Sequence, residues 1–153
     1  TGPTALILSR QSLPNLGNST DSDISNACKG GYLLKSTDNE PKVTIIATGS
    51  EVHLGVEVGE LLKTNDISCN VVSMPSWELF YQQSEEYRNL VIPESSLKVS
   101  IEAASTFGWT KYVGKDGISI GIDTFGASAP GQTLFTHFGF EAKKIHDTII
   151  SNL

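Results

Sequence analysis

The feature that most constrains this chain is a repeated alternation between short β-branched apolar runs and segments with helical spacing. Val43-Thr44-Ile45-Ile46-Ala47 is a buried-strand pattern. After Thr48-Gly49-Ser50 the apolar residues Leu54, Val58, Leu61 and Leu62 fall at i, i+4, i+7 and i+8, one stripe of a helix. The unit then recurs. Cys69 to Met74 predicts a second strand, Val99 to Ala103 a third and Ile118 to Ile122 a fourth. Between them, Pro75-Ser76 opens a helical segment with Trp77, Phe80 and Tyr81, and Ser84 to Val91 forms another that stops before Pro93. Gln132 to Phe138 and Phe140 to Leu153 close the chain as helices, the last with Ala142, Ile145, Ile149 and Leu153 on one face. Strands alternating with helices require a largely parallel sheet covered on both sides by right-handed crossovers. Tyr32-Leu33-Leu34 has no helix between it and Val43, which places an antiparallel strand at the sheet edge. The expected fold is therefore a three-layer α/β/α sandwich with a mostly parallel, five-stranded sheet carrying one antiparallel edge strand.

Local chemistry refines this reading. Ser50 is suited to cap the first long helix, with Glu51 in its positive first turn. Gly55 and Gly59 each weaken that helix by about 1 kcal/mol relative to Ala, so they predict close packing. The run Gly121-Ile122-Asp123-Thr124-Phe125-Gly126-Ala127-Ser128-Ala129-Pro130 breaks a strand into a loop of small residues, a composition that predicts tight backbone packing.

The 153 residues suffice for one compact core. A net charge of −6, with Lys and Arg scattered, excludes an ordinary nucleic-acid footprint. No apolar run approaches the roughly 18 residues a bilayer span needs. Cys28 and Cys69 match no ligand spacing and read as reduced thiols, with a disulfide the alternative. Thr4 to Ser9 forms a strand pattern at the very start, as though the chain were cut from something longer. The Pro-, Asn-, Gly- and Ser-rich stretch from Gln11 to about Ile24 is the best candidate boundary. The expected division is residues 1–27, the tail of a preceding domain plus a linker, and residues 28–153, one α/β domain.

Each candidate for chemistry has a structural alternative. Thr48-Gly49-Ser50-Glu51 follows a strand and precedes a helix, where an α/β fold binds phosphate, but it lacks the glycine fingerprint and carries a carboxylate. His53, His137 and His146 show neither nucleophile nor metal spacing and read as surface or half-buried histidines. Glu102 and Asp123 end two strands on the ligand-binding edge; without a partner base they read as acceptors for Trp109 and backbone amides. Trp77, Phe80, Tyr81 and Tyr87 form an aromatic cluster better suited to core or interface packing than to base stacking. Arg10 stands at a strand end before a linker, a setting for phosphate or carboxylate recognition or for an ordinary salt bridge. No catalytic, cofactor-binding or metal-binding residue is assigned from these patterns.

Taken in order, several segments resemble transketolase. Gly2-Pro3-Thr4-Ala5-Leu6 through Leu8-Ser9-Arg10-Gln11 and Leu13-Pro14 resemble the end of that family's pyrimidine-binding domain. Lys29-Gly30-Gly31-Tyr32, Ala47-Thr48-Gly49-Ser50-Glu51-Val52 and Val71-Val72-Ser73-Met74-Pro75-Ser76 resemble the start of its C-terminal domain, as do Phe80, Gln83 and Tyr87. Glu102-Ala103, Gly108-Trp109, Tyr112-Val113-Gly114, the Gly121 to Pro130 run and Phe138-Gly139-Phe140 complete it. Tyr81 departs from the pattern, which usually has Asp there. The resemblance implies a parent enzyme that moves a two-carbon ketol unit from a ketose phosphate to an aldose phosphate in the pentose phosphate pathway. It also implies thiamine diphosphate and a divalent cation (Mg or Ca) in that parent, a cytoplasmic homodimer that binds a sugar-phosphate substrate, with no nucleic-acid or membrane partner. The Gly-Asp-Gly cofactor motif is absent here; Gly114-Lys115-Asp116-Gly117 only approaches it. Arg10 looks like the family's arginine that grips the substrate phosphate. This chain alone is expected to bind no cofactor and to be inactive, with a structural, dimer-supporting role. The related dihydroxyacetone synthase, or a stand-alone nucleotide or small-ligand module, is the alternative; Ser9-Arg10-Gln11 and Val71 to Ser76 favour transketolase over deoxyxylulose phosphate synthase.

Overall fold

The structure, a computed structural model, describes residues 12–16, 25–38 and 40–153, with Pro3, Ala5 and Leu8. The strand expected over Thr4–Ser9 falls mostly, and Arg10 wholly, outside the described residues. Five strands form a single sheet: β1 (Tyr32–Lys35), β2 (Val43–Ala47), β3 (Cys69–Ser73), β4 (Leu97–Ile101) and β5 (Ile118–Ile120), in the order β1-β3-β2-β4-β5. Strand β1 runs antiparallel to β3; the β2–β3, β2–β4 and β4–β5 pairs are parallel. The expected sheet, including its antiparallel edge, is the one observed.

Alternation along the buried strands divides two cores. Val43, Ile45 and Ala47 of β2, with Val71, Val99 and Ile101, belong to the first core. Helix α1 (Val52–Lys63) covers it through Leu54, Val58 and Leu62, and α6 (Ala142–Ile150) through Ile145 and Ile149. Ile46 and Val72 face the second core with Met74, Phe80, Val91, Ile92 and Trp109. That side is covered by α2 (Trp77–Tyr81), α3 (Glu85–Val91) and α4 (Thr110–Val113). Each fully buried aliphatic side chain contributes about 1.5–3 kcal/mol relative to exposure. Ser76 and Ser84 cap α2 and α3, accepting from the amides of Leu79 and Tyr87. A Cβ on Gly55 or Gly59 would lie 3.2 Å from Ile45 or Val71, so both glycines let α1 sit close on the sheet.

Several boundaries differ from expectation. Strand β4 starts at Leu97, because the parallel ladder pairs Leu97 with Val43. Strand β5 stops at Ile120, although the amide of Ile122 still donates to Ala104 O at 2.7 Å. Leu153 lies beyond α6 and is exposed, so the apolar face of that helix ends at Ile149. Tight packing in the Gly121–Pro130 run holds only at its start, Gly121 and Ile122. A Cβ on Gly121 would stand 2.7 Å from Ala104 O, whereas one on Gly126 would meet nothing, and Phe125 is 100% exposed. The run leads into α5 (Gly131–Phe138), whose Phe135 packs beside Phe140 with ring centroids 5.5 Å apart.

Candidate functional site

In an open parallel sheet, ligands settle at the carboxyl ends of strands where the winding reverses. From β2 the chain passes to β3 on one side and then returns to β4 on the other, so the reversal lies between β2 and β4. Here a carboxylate of the chain itself bridges that crevice. Glu51, 5% exposed, stands after β2 and accepts the Ala103 amide, just beyond β4, at 2.9 Å. The Ser50 hydroxyl donates to the other oxygen of the same carboxylate. Ser50 is thus not the expected helix cap: Gly49–Glu51 tightens into a 3-10 turn, with the Glu51 amide donating to Thr48 O, and the hydroxyl turns to Glu51. The carboxylate therefore bridges the end of β2 and the residue beyond β4.

The neighbouring acids are also committed. Glu102 accepts Trp109 Nε1–H at 2.8 Å, and Trp109 is buried in the second core. Asp123 accepts from the Thr106 hydroxyl at 2.7 Å, the Thr106 amide at 2.8 Å and the Ser105 hydroxyl at 3.0 Å. These bonds, led by the Thr106 hydroxyl, hold the Asp123 carboxyl below its usual range. Both residues act as the acceptors their sequence positions suggested.

The histidines do not converge. His53, in the first turn of α1, lines a cavity of about 230 Å³ with Ser12, Leu13, Pro14, Gly131 and Phe135. His137 sits in the last turn of α5 against Phe138. His146 is 8% exposed, more buried than the half-buried placement its sequence suggested. Its ring nitrogens face Asn65 Oδ1 and Asp147 Oδ1, each at 2.9 Å, which ties α6 to the turn after α1. Among the described residues, no group of three or more His, Cys, Asp or Glu side chains is placed to hold a metal ion. Cys28 and Cys69 are both free thiols.

The aromatic cluster is built differently from its sequence outline. Trp77 meets Trp109 at 4.9 Å and Tyr112 at 5.2 Å, and Phe80 contacts Tyr87 and Tyr112. Tyr81 instead faces outward, 61% exposed, with Lys111 Nζ 4.0 Å above its ring. Trp109 and Tyr112 were not legible as members, because their approach depends on the crossover that brings α4 beside α2.

The fold and this edge define a class: a wound α/β domain whose strand-end carboxylates are spent on its own backbone and indole. Comparison with known proteins is specific. The family model for the transketolase-like TK C-terminal domain matches residues 30–141. Chloroplastic transketolase of Solanum tuberosum is 47% identical over 146 residues, covering 94% of this chain and 19% of its own length. Transketolase of Bacillus subtilis is 43% identical over 145 residues, covering 94% of this chain and 22% of its own. The crystal structure of Pichia stipitis transketolase in complex with sedoheptulose 7-phosphate superposes with a TM-score of 0.83 at 37% identity, covering 94% of this chain and 20% of that one. The chain belongs to the transketolase C-terminal domain family. It spans about a fifth of the length of the curated relatives it matches.

Proposed function

We propose that this chain serves as the C-terminal scaffold domain of a transketolase and does not itself carry the reaction centre. In this reading residues 1–27 are the tail of the preceding domain with its linker, and residues 28–153 are the domain proper. The full-length enzyme transfers a two-carbon ketol unit between sugar phosphates, as a cytoplasmic homodimer in the pentose phosphate pathway. Thiamine diphosphate with Mg or Ca supplies the carbanion chemistry there. The described residues at this edge do not fit that group. The reversal crevice holds the Glu51 carboxylate, which would repel a diphosphate, and the other edge acids are bonded to Trp109, Ser105 and Thr106. No step of the transfer is routed through them. No helix among the described residues is long and apolar enough to cross a membrane.

The observation that carries this reading is the Glu51 carboxylate that bridges β2 and the residue beyond β4 at the switch point. Arg10 is the one residue assigned to substrate, gripping its phosphate. In support, Ser9-Arg10-Gln11 matches the family's segment in which an arginine grips the substrate phosphate.

A chimera tests both statements. Replacing the corresponding segment of the Bacillus subtilis enzyme with this chain is expected to retain ketol transfer. Arg10→Ala in the chimera is expected to raise KM for a phosphorylated ketose by about tenfold or more, with a smaller change in kcat, since a charge-assisted phosphate contact is removed. A soluble, folded chimera without ketol transfer would contradict the family role, and an unchanged KM would remove Arg10 from the substrate site.

A further inference from the structure

A second concavity lies on the other face of the sheet, beside the start of β4 rather than its end. Phe80 and Ile92 form its floor, and Tyr81, Arg88, Lys98, Lys111 and Tyr112 stand around it, enclosing about 530 Å³ open to solvent. We propose that this pocket between α2, α3 and α4 is a binding site for a small multivalent phosphate anion.

The charge balance is the first argument. The chain has a net charge of −6 and only 11 Lys and Arg, yet three of those cations line this pocket against one lining carboxylate, Glu94. The ion pairs among the described residues are Lys115–Asp116, Lys143–Asp147 and His146–Asp147. None of them involves Arg88, Lys98 or Lys111. Glu78 also acts on Tyr112, from the side of α2.

The second argument is how the cations are held. The Arg88 guanidinium donates to the carbonyl oxygens of Tyr81, at 3.0 Å, and of Gln83. Lys98 Nζ donates to Glu94 O at 3.1 Å and Ser96 O at 3.5 Å. Lys111 Nζ rests on the ring faces of Tyr81, at 4.0 Å, and Tyr112, at 5.6 Å. Carbonyls and rings orient these side chains without neutralising them. An unanchored surface lysine must lose side-chain freedom when it meets an anion; these three have lost much of it already. A fixed fork and two fixed ammonium groups suit phosphoryl oxygens, and a single negative charge would leave the set uncompensated.

Titration of the ¹⁵N-labelled 153-residue chain with pyrophosphate, against sodium chloride at matched ionic strength, tests this directly. Saturable shifts of the Lys98, Lys111 and Gly114 amides with pyrophosphate but not chloride are expected. Lys98→Gln and Lys111→Gln should each weaken binding by about tenfold, whereas Lys144→Gln, on α6, should leave it unchanged. These exchanges are at solvent-accessible positions, and a dispersed spectrum verifies that each variant is folded. Linear shifts without saturation, shifts centred elsewhere, or equal affinity in the folded Lys98 and Lys111 variants would overturn the proposal.

Discussion

Glu51 shows how one residue decides between a binding crevice and a closed one. Its carboxylate joins the end of β2 to the amide beyond β4, so Glu51→Ala leaves the half-buried Ala103 N–H without its acceptor. The expected loss is about 1–3 kcal/mol of unfolding free energy, measurable by urea denaturation. Glu51→Gln keeps an acceptor and should cost less. The two cysteines form a second contrast. Burial pushes the Cys69 thiol up to about 12, while Cys28 is exposed. Because the thiolate is the nucleophile, Cys28 is expected to react quickly with a thiol reagent in the native protein and Cys69 only after denaturation. Labelling stoichiometry with and without denaturant checks this. Neither burial nor the Glu51–Ala103 bond was legible in sequence: Glu51 reads as a first-turn acid, and only the β2–β4 pairing brings Ala103 within its reach.

At the scale of elements, hydrogen bonds from side chains fix what helix and strand spacing leaves open. The spacing placed every strand of the described sheet and both long helices, because burial on one or two faces imposes a period that the sequence must carry. It misjudged ends, since these depend on ladder partners, as at Leu97, or on where a loop turns away, as at Ile120. Asp123 anchors the connection after β5 to residues 105 and 106. Its carboxyl is held below the ordinary value of 3.8, so the ionised form is the one the fold favours. The stabilisation is fully present above pH 3.8 and is lost as pH falls through the lowered folded value. Asp123→Asn should therefore be less stable than the natural chain at neutral pH, with the difference closing below pH 3.8. Urea melts at a series of pH values measure that closure; a constant difference down to the acid limit would contradict it. In α6, Ile149 is completely buried, and Ile149→Ala should cost about 2–5 kcal/mol.

For the whole molecule, the sheet order puts the switch point between β2 and β4, where Glu51 accepts the Ala103 amide. The family was legible because short motifs recur in a fixed order along nearly the entire chain. The site was less so: the acids at Glu102 and Asp123 are visible in sequence, but their commitment to Trp109, Thr106 and Ser105 exists only after the crossovers bring those groups near. The most direct measurement is a ketol-transfer assay on the purified 153-residue chain, supplied with thiamine diphosphate, magnesium, a ketose phosphate and an aldose phosphate, alongside calorimetry of the cofactor. No product and no saturable cofactor heat are expected. Turnover, or stoichiometric binding of thiamine diphosphate by this chain alone, would contradict the scaffold role.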